Sequence, residues 1–293
     1  MRIVSLVAGL CLLFQIGLAR AEPLEIAAWG DSLTYGKGAS SAATTYPAQA
    51  CAMIKAMGGD CRVHNMGWGG QNSTQIAARQ GAVALSVLPL GQDGADGLAL
   101  TAPSVDVLEI AGRPAGQLAG SLAGVAGLLQ TDPAGHWRFA PSAPDGAALA
   151  RMAGRQLFVP SEGVALRQAE TWIWAGRNNL RAGDTVLRDI AAMIAFLGHD
   201  RYLVAEVLPS ARDTPAQHRH LDRLNRSLAE IHGTRFVPLI AALQAAGDGS
   251  AQDEQDIAAG LVPSSLRSDA VHLNDQGYRI VAAQFVAAWR RRP

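Results

Sequence analysis

The sequence predicts an α/β domain that is interrupted by a β-rich insertion. Strand-like and helix-like segments alternate from Leu24 to about residue 81, and again from Thr171 to the carboxyl terminus. Strands that alternate with helices form a parallel sheet with helices on both faces. At about residues 82–168, short segments of alternating side chains are separated by Gly, Pro and Asp, which is typical of a small antiparallel unit.

Each predicted element rests on a local pattern. Short apolar runs predict strands, and apolar residues at helical spacing predict helices. The amino-terminal part contains a strand at 24–29, a helix at 46–57, a strand at 62–66 and a helix that Asn72 or Ser73 caps. The insertion has strand-like segments at 84–88, 105–110, 117–122, 137–139 and 156–159. The carboxyl-terminal part has strands at 172–175, 202–207 and 236–240 and helices at 185–197, 217–231 and 274–290.

Length and charge narrow the classes of function. The 293 residues can bury a substantial core, and 25 basic side chains balance 25 acidic ones. Because the basic residues are scattered apart from Arg290-Arg291-Arg292 at the carboxyl terminus, the sequence lacks an extended electrostatic footprint for nucleic acid or for an anionic membrane surface. We therefore expect an ordinary globular protein without a nucleic-acid partner.

The amino terminus has the pattern of a secretory signal peptide. A positive start, Met1-Arg2, precedes a largely apolar stretch at 3–18 and the small-residue motif Ala19-Arg20-Ala21. The pattern predicts cleavage after this motif, which removes residues 1–21 and leaves a secreted or periplasmic protein. An uncleaved membrane anchor is the alternative, although a glutamine interrupts an apolar run that is already short for a spanning helix. No later segment is apolar enough to span a bilayer, so we expect no stable membrane insertion.

Two cysteines remain after this cleavage, Cys51 and Cys61. One lies late in a predicted helix and the other opens the next predicted strand. In an oxidising compartment, this pair predicts a disulfide bond. Two separate buried thiols are the alternative.

Four short segments carry the residue types of one reaction. They are Gly30-Asp31-Ser32-Leu33-Thr34-Tyr35-Gly36, Asn65-x-Gly67-x-x-Gly70, Gly176-Arg177-Asn178-Asn179 and Ser268-Asp269-Ala270-Val271-His272-Leu273-Asn274. The first three follow predicted strands, at the carboxyl ends where parallel sheets bind ligands, and the fourth precedes the last helix. A serine at such a strand end, with backbone N–H groups of a helix start behind it, is positioned for attack and for oxyanion stabilisation.

These four segments resemble the blocks of the SGNH superfamily, also called the GDSL esterases and lipases. The resemblance covers about residues 24–81 and 169–293. It implies a flavodoxin-like three-layer α/β/α sandwich with a mainly parallel five-stranded sheet. One hydrolase domain would then consist of residues 22–81 and 169–293, with the β-rich insertion at 82–168 between its two parts.

The resemblance also implies the roles of individual residues. Ser32 would be the nucleophile, His272 its general base and Asp269 the carboxylate that orients the imidazole. The oxyanion hole would consist of the backbone N–H groups of Ser32 and Gly70 and the side-chain amide of Asn178. This mechanism needs no metal ion or organic cofactor.

Other residues near the four blocks have less certain roles. The family pattern has an aspartate where this chain has Asn179, whose amide oxygen can still accept a loop hydrogen bond. Asp31 is expected to organise the loop by hydrogen bonding. Trp68 is a candidate for the wall of the substrate pocket or for simple packing. Arg177 is a candidate for contact with an acidic substrate group, although an outward, solvated side chain is the expectation that we favour.

The implied activity is hydrolysis of carboxylic esters through an acyl-enzyme. Export and the insertion favour an O-deacetylase of an extracellular or cell-wall polysaccharide, so that the partner would be an acylated polysaccharide. Short-chain lipid or polymer esters are the alternative substrates. A non-catalytic carbohydrate-binding protein on the same scaffold is the alternative of a different class. The insertion could be a structural spacer or a rim for an extended substrate.

Overall fold

The computed structural model describes residues 22–94, 97–108, 116–143 and 146–292. The predicted signal peptide at 1–21 and the last two residues of the predicted strand at 105–110 lie outside the described residues. The described chain forms two sheets, one parallel and one antiparallel. Among these residues, no helix combines the length and the apolar character that a membrane span requires.

Strands and helices are numbered in chain order. The strands are β1 (Leu24–Gly30), β2 (Cys61–Gly67), β3 (Leu85–Val87), β4 (Pro89–Asp93), β5 (Gly97–Leu100), β6 (Gly116–Leu122), β7 (Val125–Thr131), β8 (Trp137–Pro141), β9 (Gln156–Pro160), β10 (Glu170–Trp174), β11 (Tyr202–Ala205) and β12 (Phe236–Val237). The helices are α1 (Ser32–Tyr35), α2 (Tyr46–Ala56), α3 (Ser73–Gln80), α4 (Gly146–Ala150), α5 (Ser161–Ala165), α6 (Gly183–Leu197), α7 (Pro215–His232), α8 (Ile240–Gln244), α9 (Ala251–Ala258) and α10 (Asp275–Arg291).

The first sheet has five strands in the order β12-β11-β10-β1-β2, and all of its neighbours are parallel. Counted along this sheet alone, the strand order is 2-1-3-4-5, which is the flavodoxin-like arrangement. The chain order reverses between β1 and β10. Ligands bind in such sheets at the carboxyl ends of the strands beside the reversal. The structure confirms the predicted fold class.

Helices cover both faces of this sheet. Alternate residues of β1 point to opposite faces, so Ala28 joins the core under α2, α8 and α10, while Trp29 joins the core under α3, α6 and α7. In the first core, the rings of Tyr46 and Trp172 each stack on Phe285 at 4.8 Å between ring centroids. The two cores and the sheet form the predicted three layers.

A disulfide bond joins the helix before β2 to the start of that strand. Cys51 lies in α2 and Cys61 is the first residue of β2, and their Cα atoms are 5.5 Å apart. Closure of so short a loop stabilises a fold by roughly 3 kcal/mol when the bond is unstrained. The structure confirms the predicted pairing.

The second sheet lies between α3 and β10 in the chain and is entirely antiparallel, in the order β3-β9-β6-β7-β8-β5-β4. Its two edge strands, β3 and β4, are separated only by Leu88. One continuous segment therefore pairs with β9 at one edge and with β5 at the other, so the sheet closes on itself into a small barrel. Leu122, Leu129 and Phe139 fill the interior. This barrel is the predicted β-rich insertion.

The prediction for residues 105–110 is wrong over the part that the structure describes. Residues 105–108 form bends and coil instead of a strand. Val107 and Leu108 are buried in the barrel core. This burial explains why the segment has apolar residues that resemble those of a buried strand. The carboxylate of Asp106 accepts a hydrogen bond from the backbone N–H of Leu108 at 3.0 Å, which closes a local turn instead.

Candidate active site

The three central strands of the parallel sheet end at the same level. Gly30, the last residue of β1, lies opposite Gly67 at the end of β2 and opposite Trp174 at the end of β10. The loops that follow these strands therefore leave the sheet side by side at its carboxyl edge. Ser32 follows the first strand, and Asn178 follows the third.

Ser32 is the first residue of α1, a single helical turn. The carboxylate of Asp31 caps this turn by accepting a hydrogen bond from the backbone N–H of Leu33 at 2.9 Å. Gly67 packs directly against the turn, since a Cβ atom at this position would collide with the backbone of Tyr35. A Cβ atom at Gly69 would lie 3.8 Å from the Cβ atom of Ser32. The glycines after β2 thus let that loop approach the serine closely.

The loop before α10 delivers the imidazole to this serine. His272 Nε2 lies 2.8 Å from Ser32 Oγ, although the two residues are 240 positions apart in the chain. On the other side of the ring, His272 Nδ1 lies 2.7 Å from Asp269 Oδ2. The loop is held by a hydrogen bond from the backbone N–H of Ser268 to the carbonyl of His272 at 2.8 Å. Ser32, His272 and Asp269 therefore form one continuous hydrogen-bonded chain.

Hydrogen bonds keep Asp269 ionised. Partial burial raises the pKa of this carboxyl, but the backbone N–H groups of His272 and Val271 and the His272 ring outweigh it and lower the pKa to about 2. Asp269 Oδ1 accepts both backbone N–H groups, at 2.8 and 2.9 Å. With Oδ1 fixed in this way, Oδ2 is left to orient the imidazole.

The amide of Asn178 is exposed above the buried carboxylate of Asp31. Its Nδ2 atom donates to the carbonyl of Gln71 at 2.8 Å and to Asp31 Oδ2 at 3.3 Å. Asp31 thus contacts the loops that follow both β1 and β10, as the predicted loop-organising role requires. Of the two Asn178 bonds, the longer one is the weaker.

A buried polar network supports the loop that carries Gly70, whose φ of 79° lies in the left-handed region. Gln71 is fully buried, and its Nε2 atom donates to the carbonyl of Val107, in the barrel, at 2.9 Å. Its Oε1 atom accepts from Arg79 Nε at 3.0 Å, and Arg79 Nη2 donates to the carbonyl of Met66 at 2.6 Å. The side chain of Gln71 therefore joins the loop of Gly70 to the barrel by a hydrogen bond.

Comparisons with known proteins identify solved structures that have a similar fold. No protein-family model matches the sequence, and no curated protein is similar to it. Among solved structures, a member of the lipolytic protein G-D-S-L family from Veillonella parvula superposes with a TM-score of 0.50 and 12% identity, over 92% of this chain and 99% of that one. The fold is that of the GDSL-type lipolytic proteins.

Two further solved structures have the same general likeness. The lipase/acylhydrolase from Enterococcus faecalis has a TM-score of 0.47 and 13% identity, over 90% of this chain and 93% of that one. An acetyl xylan esterase has a TM-score of 0.49 and 13% identity, over 90% of this chain and 98% of that one.

Asn179, where the sequence departs from the family pattern that it resembles, contacts the start of α3. The amide oxygen of Asn179 accepts a hydrogen bond from the backbone N–H of Ser73 at 3.2 Å, as expected from the sequence, and its nitrogen donates to Ser73 Oγ at 2.9 Å. Ser73 Oγ in turn donates to the buried carboxylate of Asp189, which also accepts from Thr74 Oγ1 at 2.7 Å. A carboxylate from α6 thus completes the hydrogen-bond network around Asn179.

Arg177 does not point into solvent, so the expectation that we favoured is wrong. Its guanidinium forms an ion pair with Asp213 and donates to the carbonyl of Leu208 at 2.9 Å. Only 12% of the Arg177 side chain and 3% of the Asp213 side chain is exposed. A buried carboxylate requires a charged partner, which turns the arginine inward. This engagement also removes Arg177 as a free contact for an acidic substrate group.

The half-buried ring of Trp68 packs against the barrel core and lies over the guanidinium of Arg79, 4.9 Å from ring centroid to guanidinium carbon. The ring of Trp29 lies 5.2 Å from the same guanidinium. The contacts of Trp68 are therefore those of packing between the two sheets. Gln71, Arg79 and Asp189 were missed at the sequence level, because no local pattern marks a buried polar residue in an amphipathic helix or a loop.

We predict that Asp31 makes stability depend on pH. Burial raises the pKa of this carboxyl from 3.8 to about 7, against opposing hydrogen bonds and the charge of Arg177. The folded state therefore holds a proton that the unfolded state releases near pH 4. The contribution of Asp31 to stability is fully present below about pH 4 and is lost as pH rises to about 7, by up to about 4 kcal/mol.

Asp31→Asn tests this directly, because other titrating groups cancel in the difference between the two proteins. The free energy of unfolding, measured by urea denaturation from pH 4 to pH 8, should rise in the variant relative to wild type as pH increases. If the free energies of unfolding of the two proteins changed equally with pH, Asp31 would not be held neutral by burial.

We also predict that Gln71→Glu slows catalysis. Glutamate keeps an acceptor for Arg79 Nε but cannot donate to the carbonyl of Val107, so the loop of Gly70 loses this hydrogen bond to the barrel. Misplacement of a catalytic loop by a fraction of an ångström lowers turnover steeply. The kcat for p-nitrophenyl acetate should fall about tenfold or more, with a smaller change in KM. Gln117→Glu, the same change on an exposed strand residue of the barrel, should leave kcat unchanged, and equal rates in both variants would contradict the account.

Proposed function

We propose that this chain is a carboxylic ester hydrolase that works through an acyl-enzyme on Ser32. The observation that carries the proposal is the hydrogen-bonded chain from Ser32 through His272 to Asp269, with distances of 2.8 and 2.7 Å. A nucleophile hydrogen bonded to a base, and a base oriented by a third group, form the arrangement that activates serine for acyl transfer. The GDSL-type fold is consistent with this chemistry.

In the proposed reaction, His272 Nε2 removes the proton from Ser32 Oγ as that oxygen attacks the ester carbonyl. Asp269 stabilises the imidazolium that forms. His272 then donates the proton to the departing alcohol, which leaves the acyl group on Ser32. A water molecule, activated by the same imidazole, releases the carboxylic acid and restores the serine.

The oxyanion would be bound by the backbone N–H groups of Ser32 and Gly70 and by the amide of Asn178. In the structure, both Nδ2 protons of Asn178 have acceptors, so one bond must be exchanged when the oxyanion forms. The 3.3 Å bond to Asp31 is the weaker one and is the candidate for exchange. Loss of one oxyanion donor typically costs about 3 kcal/mol of transition-state stabilisation.

We further propose that the substrate carries a small acyl group on a bulky alcohol, as in an O-acetylated polysaccharide. Asn178 is exposed, and 43% of the Asp269 side chain is accessible to solvent. An open site of this kind suits an ester on a large polymer. Trp68 would form part of the rim, since its neighbour Gly69 lies beside Ser32. Short-chain lipid esters are the alternative, and turnover of acetylated xylan compared with tributyrin separates the two classes.

Export to an oxidising compartment is also part of the proposal. The Cys51–Cys61 bond supports it, because such bonds persist mainly outside the reducing cytosol. An exported deacetylase would meet its polymer outside the cytosol. A carbohydrate-binding protein without catalysis would not need the hydrogen-bonded chain of three residues.

We predict that Ser32 and His272 act as one unit. Ser32→Ala and His272→Ala should each lower kcat/KM for p-nitrophenyl acetate by about 10⁴-fold or more, and the double variant should lose little beyond either single variant. Asp269→Ala should be damaging but milder, because water can reach and partly replace an accessible carboxylate. Circular dichroism would confirm that each variant is folded. Losses that multiply in the double variant would show that the two residues serve separate steps.

A further inference from the structure

An open groove lies between the start of α6 and the middle of α7, beside the loop that follows β10. The groove has a volume of about 810 Å³. Residues from the end of the loop after β10, from the first turns of α6 and from one face of α7 line it. Its polar and charged lining includes Arg181, Asp184, Thr185, Arg188, His220 and Arg223.

The groove carries an excess of positive charge. Arg181, Arg188 and Arg223 line it, and Asp184 is the acidic residue among them. Within the part of the chain that the structure describes, none of these three arginines forms an ion pair with a carboxylate. Arg188 instead donates to Thr185 Oγ1 at 2.9 Å. The charge of Arg177 is neutralised by its carboxylate partner. The charges of the three groove arginines are instead available to bind an anionic ligand.

His220 also lines the groove and contacts one of these arginines. His220 Nδ1 lies 2.8 Å from Arg223 Nη2, so the ring nitrogen accepts a hydrogen bond from the guanidinium. The two residues are three positions apart on α7 and share a face of that helix. This bond holds the Arg223 side chain along the groove wall, opposite the wall that α6 provides.

The groove begins within a few residues of the proposed catalytic centre. Arg181 lies three positions after Asn178, in the same 3₁₀ segment, Arg177–Ala182. Since consecutive Cα atoms are 3.8 Å apart, the Cα atoms of these two residues are separated by no more than about 11 Å. A polymer whose ester lies at Ser32 could therefore place a neighbouring unit in the groove.

We propose that this groove binds carboxylate groups of an acidic polysaccharide whose ester-bearing unit lies at Ser32, an inference that rests on the proposed function. Planar guanidinium groups match carboxylates in geometry and charge. Three of them, spread over both walls of an open groove, suit carboxylates repeated along a chain. The lining residues include no Phe, Tyr or Trp, the large rings on which nucleic-acid bases stack best. A uronic-acid type of polymer is therefore the substrate class that the groove favours.

Binding of an unesterified probe tests the groove without relying on catalysis. The mature protein should bind polygalacturonate in isothermal titration calorimetry, more weakly at 0.5 M than at 0.05 M NaCl, and should bind neutral xylan less well. Arg181→Gln/Arg223→Gln should weaken polygalacturonate binding about tenfold. The matched control, Arg226→Gln/Arg279→Gln, removes the same charge from exposed helix positions outside the groove and should bind as wild type does.

An activity comparison separates the two proposals. With acetylated polygalacturonate, the groove variant should show a KM about tenfold higher, while kcat/KM for p-nitrophenyl acetate stays unchanged. The proposed binding in the groove would be wrong if wild type and the groove variant bound polygalacturonate equally. It would also be wrong if the control variant lost as much affinity as the groove variant. A wild type that binds polygalacturonate through these arginines but hydrolyses no ester would instead overturn the proposed function.

Discussion

The register of β1 between its two neighbours is the constraint on which the site depends. Gly30 lies opposite both Gly67 and Trp174, so three strand ends stand level and their loops meet. A shift of one residue would exchange the faces of the strand and bring Trp29 and Ala28 into each other's cores. Because both faces are buried under helices, the apolar packing fixes this register strongly. Burial far from Ser32 thereby sets the position of the proposed nucleophile.

A buried charge contacts both ends of the loop that carries Gly70. Arg79 is fully buried, and burial lowers the pKa of its guanidinium to about 9 although Glu162 opposes the shift. The rings of Trp29 and Trp68, the carbonyl of Met66 and the amide of Gln71 compensate for part of the lost hydration. Its Nη1 atom has no hydrogen-bond partner among the described residues. An arginine held at this cost fixes the loop of Gly70 through its hydrogen bonds to Met66 and Gln71.

The sequence could predict the features that local patterns encode. Apolar runs marked the central strands, and Ser32 and Asn178 each follow a strand end. Asp269 and His272 are three positions apart, so their contact needs only one tight loop. The orientation of Arg177 could not be predicted, because its partner Asp213 lies 36 positions later in a different loop. Gln71 gave no signal for the same reason, since its acceptor belongs to the barrel.

The central claim is that strand register and loop packing make Ser32 Oγ a nucleophile through His272. Labelling with a fluorophosphonate tests it most directly, because the reagent captures an activated serine without any assumption about the substrate. Peptide mapping by mass spectrometry should find one adduct, at Ser32, formed at least a hundredfold more slowly in His272→Ala and absent in urea-denatured protein. An adduct at another serine, or equal labelling rates in wild type and His272→Ala, would contradict the account.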